Sequence, residues 1–137
     1  MCARYTIKNG VMVTIPRFRV NAKEAADFPP RYNVAPSQEA PVVLWGEGHR
    51  TLELFRWGLI PSWAKDVKIG QKLFNARAET VNEKPSFRDA FKKRRCLVPV
   101  DGFYEWPEKG KPVLSGVEGF PRRIRRKDDG LFSFAGL

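Results

Sequence analysis

The 137-residue chain carries 25 Lys and Arg against 15 Asp and Glu, a formal net charge of +10 at pH 7, with 42% hydrophobic residues. That length bounds it to one domain, and the apolar and aromatic content suffices for a packed core. So basic a balance points to polyanions, nucleic acid being the commonest, with a generally basic surface as the plain alternative. No run reaches transmembrane length and no apolar signal stretch opens the chain, so a cytoplasmic protein without a membrane partner is expected. Its two cysteines read as free thiols. Without a Cys/His cluster at ligand spacing, neither metal nor cofactor is implied.

Cys2, the second residue of the chain, is its most informative one. An aminopeptidase removes Met1 when the next side chain is small, and the chain then opens with an α-amine and a thiol on adjacent carbons. An aldehyde condenses with such an amine to an imine, and the thiol closes a thiazolidine. At pH 7 about 14% of an ordinary α-amine is unprotonated, against about 0.04% of a lysine. On position alone, an incidental terminal cysteine is the plainer reading.

Residues 11–15 are rich in β-branched side chains and predict a strand. Asn21 with Glu24 resembles a capping box opening a short helix, stopped by Pro29 and Pro30. The segment 31–37 is extended and punctuated by Pro36. Residues 42–45 and 51–57 predict a hairpin around Gly46-Glu47-Gly48-His49. Residues 58–66 form an irregular loop carrying Trp63. Pro85 suits the first turn of a helix on which Phe87 and Phe91 share a face, closed by Lys92, Lys93, Arg94 and Arg95. Residues 96–100 and 103–106 read as strands separated by an Asp101-Gly102 turn. Residues 108–119 read as a long connection, 122–127 as a basic run, 127–130 as a turn, and 131–137 as an apolar strand. So unprotected an apolar ending suggests a fragment.

Five ordered motifs carry a resemblance: Met1-Cys2-Ala3-Arg4-Tyr5; Arg31-Tyr32-Asn33-Val34-Ala35-Pro36; Arg56-Trp57-Gly58-Leu59-Ile60-Pro61-Ser62-Trp63; Asn75-Ala76-Arg77-Ala78-Glu79-Thr80; and Arg95-Cys96-Leu97-Val98-Pro99-Val100-Asp101-Gly102-Phe103-Tyr104-Glu105-Trp106. Together they resemble the SRAP family of SOS response-associated peptidases, or abasic-site processing proteins. The resemblance implies an α+β fold, a mixed β-barrel-like sheet with flanking helices, here without its late strands. It also implies a protein that captures abasic sites in single-stranded DNA through a thiazolidine at Cys2 and works at the nucleoid in the DNA-damage response; a monomer is expected. The peptidase activity in the family's name has its plainest content in autocatalytic removal of Met1, and strand-cleaving lyase chemistry is a side reaction of the imine. Ala3 stands where the family usually has Gly. The family's catalytic His belongs to a later segment, whereas His49 lies in the hairpin turn and reads as an ordinary exposed residue.

By that resemblance Glu105 is the acid/base residue that helps the carbinolamine lose water. Strand alternation puts it on the face of Phe103, away from Tyr104 and Trp106; pairing with an Arg is the structural alternative. Asn33 and Asn75 occupy positions of site asparagines, where amides hydrogen-bond sugar oxygens or the aldehyde; as residues alone they read rather as turn formers. Arg77 and Arg4 are candidates to grip phosphate, Trp63 to stack on a base or to fill the core, and Pro36 joins this DNA-contacting set. Two readings compete with covalent capture. One is a noncovalent module for single-stranded nucleic acid, and the other is an inactive, incomplete fragment.

Overall fold

Turn chemistry and burial account for most elements of the computed structural model, which describes residues 3–107 and 120–137. Cys2 and the expected connection at 108–119 lie outside the described residues. The clearest element is a hairpin of β3 (Glu39–Gly46) and β4 (His49–Arg56), paired in unbroken register from Glu39↔Arg56 to Gly46↔His49. Its two turn residues, Glu47 and Gly48, have φ of 50° and 83°. A two-residue loop needs positive φ at both positions to match the strands' right-handed twist.

Among the described residues, eight strands form two antiparallel sheets. One has the order β2 (Arg31–Val34), β1 (Tyr5–Ile7), β6 (Gly102–Glu105), β7 (Arg122–Ile124). The other has the order β4, β3, β5 (Cys96–Val100), β8 (Phe132–Gly136). The α+β class is as expected, but the barrel-like closure is corrected: among the described residues each sheet stays open. Tyr5, Ile7 and Val34 of the first sheet share one core with Ala40, Val43, Leu52 and Val100 of the second. Phe134 bridges the layers, with ring centroids 6.3 Å from Tyr5 and 5.6 Å from Phe103. The layers therefore bury their apolar faces against each other rather than by joining edges.

Asp101 makes the crossing. The sequence predicts a hairpin turn at Asp101-Gly102, yet β5 and β6 belong to different sheets. Asp101 is fully buried, and its carboxylate accepts from the Thr6 hydroxyl at 2.5 Å, from the Lys8 backbone N–H and from Arg123 at 2.6 Å. Its own N–H donates to the Thr6 carbonyl at 3.0 Å. A turn residue facing water would make none of these bonds. The position is a corner between layers, held by β1 and β7.

The strand expected at residues 11–15 is also corrected, because Val11–Phe18 forms helix α1. Thr14 and Phe18 are buried and Val11 and Ile15 pack against the core, whereas Met12 and Val13 face outward. That spacing of i, i+3, i+4 and i+7 is helical, and core burial along it overrides the β-branched propensity. Arg19, at φ 53°, ends the helix, and Arg50 donates to the Phe18 carbonyl at 2.7 Å.

The expected helix after Asn21 is a single 3-10 turn, Ala22–Glu24, in which the Asn21 amide accepts from Lys23 N–H and donates to Glu24. Helix α2 (Arg88–Lys93) follows Pro85 as expected, with Phe87 at its N-terminus buried. No helix among the described residues is long and apolar enough to cross a membrane.

Candidate functional site

Arg4 stands where the chain enters β1, and both neighbouring strands hold it. Its carbonyl accepts from Tyr104 N–H of β6 at 2.9 Å, and its guanidinium donates to the Asn33 side-chain oxygen of β2 at 3.0 Å. The Tyr104 hydroxyl then reaches across to the Tyr32 carbonyl at 3.1 Å. Two strands distant in sequence are thus tied together over the start of β1. Asn33 and Tyr32 are exposed and Tyr104 is half-buried, so this cluster opens to solvent.

Glu105 follows directly on β6. The β1–β6 register runs Tyr5↔Phe103 and Thr6↔Gly102, and the Tyr104-to-Arg4 bond extends it one step further. Glu105 is the next residue of β6 beyond that bond. On its other side Glu105 pairs in register with Arg122 of β7. Phe103, two residues earlier and on the same strand face, packs against the core. Glu105 is half-buried.

Asn75 and Pro36 are brought toward this end by Trp57, a residue absent from the expected site. The Trp57 indole N–H donates to the Phe74 carbonyl at 2.7 Å, immediately before Asn75. Its ring packs on Tyr5, immediately after Arg4, with centroids 5.3 Å apart. Its backbone closes the turn containing Pro36, accepting from Ser37 N–H at 2.8 Å and donating to the Gln38 carbonyl at 2.9 Å. Tyr32, Tyr104 and Trp57 were legible only as aromatic residues inside motifs. The available signal for Trp57 was chemical: an indole that packs even partly into a core requires an acceptor for its N–H.

Trp63 and Arg77 lie further out. Trp63 is 55% exposed and sits beside α2, in a shallow depression formed with Pro61, Pro85, Asp89 and Arg94. It projects from a loop pinched at its base, where Leu59 N–H donates to the Leu73 carbonyl at 3.0 Å. Arg77 is exposed at the start of a turn that Thr80 N–H closes onto its carbonyl at 3.2 Å.

The basic run at 122–127 is only partly available to an anion. Arg123 is paired with Asp101, Arg126 meets Asp128 through two bonds of 2.8 and 2.9 Å, and Arg125 lies 3.6 Å from Asp129. The Arg126 guanidinium holds the Asp128 carboxyl well below the usual carboxylate range, and the Lys8 ammonium lowers Asp129. His49 lies apart from this cluster at the start of β4, 2.8 Å from Glu24, whose hydrogen bond raises its pKa. Cys96 is a free thiol whose pKa burial pushes up. No group of three or more His, Cys, Asp or Glu side chains is placed to hold a metal ion among the described residues.

Comparison with known proteins places this arrangement in context. Residues 1–137 match the family described as SOS response associated peptidase (SRAP). The whole chain is 44% identical to "Abasic site processing protein YoqW" of Bacillus subtilis, of which it spans 59%. It is 38% identical over 107 residues to "Abasic site processing protein HMCES" of Xenopus tropicalis, covering 69% of this chain and 32% of that protein. A solved structure of a Bacteroides thetaiotaomicron protein superposes on 98% of this chain and 58% of its own, with a TM-score of 0.78 at 27% identity.

Proposed function

The chain belongs to the SOS response associated peptidase family, and from that membership we propose that it captures abasic sites in single-stranded DNA covalently, as a monomer. Met1 is removed by hydrolysis of the Met1–Cys2 peptide bond, in an autocatalytic step that gives the family its peptidase name. The freed α-amine attacks the C1′ aldehyde of the ring-opened deoxyribose. The carbinolamine loses water to give the imine, and the Cys2 thiol adds to the imine carbon while its proton passes to nitrogen. Amine, aldehyde and thiol thus yield one thiazolidine and one water.

The supporting observation is the register of β1 against β6. Arg4, two residues after Cys2 in the sequence, bonds Tyr104, and Glu105 is the next residue of β6. Glu105 protonates the departing hydroxyl of the carbinolamine. Arg4 and Asn33, already bonded to each other, offer donors to the sugar and its phosphate. Asn75 orients the sugar at the reacting carbon, and Arg77, Pro36 and Trp63 complete the strand-contacting surface, with Trp63 exposed enough to stack on a base. Strand cleavage by the lyase route belongs to the same imine, which acidifies the neighbouring sugar carbon.

Intact mass spectrometry tests the proposal before and after incubation with an abasic single-stranded oligonucleotide. The expected result is a chain lacking Met1 that gains the oligonucleotide mass less one water. Cys2→Ala should abolish the adduct, and Glu105→Gln should slow it by about 100-fold. Salt-sensitive binding that ignores the lesion, with no adduct, would favour the noncovalent reading that the net charge of +10 also supports.

A further inference from the structure

We propose that Trp57 is a positioning residue for Asn75 in the capture reaction; this rests on the reading above. Three separate segments meet on this one side chain and its backbone. Its ring lies against Tyr5, which follows Arg4. Its peptide groups close the turn that carries Pro36. Its indole N–H holds the Phe74 carbonyl at 2.7 Å, which orients the peptide unit joining Phe74 to Asn75.

That last bond matters most. Residues 72–79 form neither helix nor strand, so no ladder sets the direction of the Asn75 side chain. The Phe74 ring meets the Trp57 ring edge-on at 6.2 Å and 85°. Ring packing and hydrogen bond together fix Phe74 at two points, leaving little freedom to rotate the peptide that follows. A donor on a rigid strand end therefore takes the place of secondary structure in aiming Asn75.

Trp57→Phe tests this, because it keeps an aromatic ring against Tyr5 and Phe74 but removes the N–H. Covalent capture of an abasic single-stranded oligonucleotide should slow by about tenfold. Noncovalent affinity for the same oligonucleotide, measured in the Cys2→Ala background, should change by less than about twofold. In an Asn75→Ala background, Trp57→Phe should cost less than about twofold more, since the residue it acts through is gone. An unchanged capture rate, or an undiminished loss when Asn75 is already Ala, would overturn the assignment. The Asn75 side-chain amide resonances give a readout that does not depend on the chemistry. They should shift in Trp57→Phe, and their failure to move also overturns it. Absence of adduct from the wild-type chain would sink the capture reading instead, with the amide resonances still deciding how Trp57 and Asn75 are coupled.

Discussion

Arg123 reaches the fully buried carboxylate of Asp101 at 2.6 Å and also donates to the Asp101 carbonyl at 3.0 Å. One guanidinium from β7 thereby secures the corner at which the chain leaves one sheet for the other. The same carboxylate bonds Thr6 and Lys8 of the N-terminal strand region. Through these contacts the corner holds β1, and with it the position of Arg4.

Removing that cation should be severe. Arg123→Met leaves a buried charge with hydroxyl and backbone partners only, and should destabilise the chain by about 3–5 kcal/mol in urea unfolding. Adding Asp101→Asn should recover part of the loss, because the uncompensated charge is then gone. A loss below about 1 kcal/mol in the single variant would mean that water already screens the pair.

Gly58 is a second weak point. Its φ is 136°, and a Cβ built there would lie 2.4 Å from the Gly70 carbonyl oxygen. Both the backbone conformation and the space exclude a side chain. Gly58→Ala should cost about 1–3 kcal/mol in thermal or urea unfolding. Gly46→Ala is the control, since its Cβ would meet nothing within 4 Å; equal losses in the two would refute the close-contact account.

The His49–Glu24 pair gives a pH dependence of known sign. The hydrogen bond from Glu24 raises the folded-state pKa of His49 above its ordinary value. A raised value means that protonated His49 favours the folded state. The contribution is therefore complete below about 6.5, the unfolded reference, and is lost as pH rises through the higher folded value. An NMR titration should place the His49 midpoint above that reference, and Glu24→Gln should bring it down. A midpoint unmoved by the substitution would show that the pair does not persist in solution.

Cys96 should be a slow thiol. Burial raises its pKa, which lowers the thiolate fraction at neutral pH. In a Cys2→Ser chain, alkylation by iodoacetamide followed by mass should be slower than for a free cysteine peptide. The rate should climb with pH through a midpoint above the ordinary value of about 8.5. Peptide-like reactivity at pH 7 would show that β8 does not cover the thiol.

Legibility followed how local the controlling interaction was. The hairpin was readable because its turn is specified by two adjacent residues, Glu47 and Gly48, whose positive φ suits the turn between two apolar runs. The helical start after Asn21 was readable for the same reason, its cap closing within three residues, although the segment makes one 3-10 turn and not the expected helix. Helix α1 was misread because Val11, Val13 and Ile15 favour strands individually. Only the core decides that Thr14 and Phe18 turn inward together. Asp101 followed by Gly102 resembles any surface turn until Arg123 supplies the cation that allows the carboxylate to be buried.

At the site the same division holds. The aminothiol chemistry open to Cys2 was readable from its place next to Met1, whereas the roles expected of Glu105, Asn33 and Asn75 came from the family resemblance of the motifs that carry them. Which of them meet was decided by strand pairing and burial between residues tens of positions apart. Arg4 gains Asn33 because β1 pairs with β2, and lies beside Tyr104 because it also pairs with β6. Asn75 is drawn toward them by the hydrogen bond of an indole that the chain places eighteen residues earlier. Such contacts depend on which surfaces the whole chain can bury at once, a property no local stretch of residues contains.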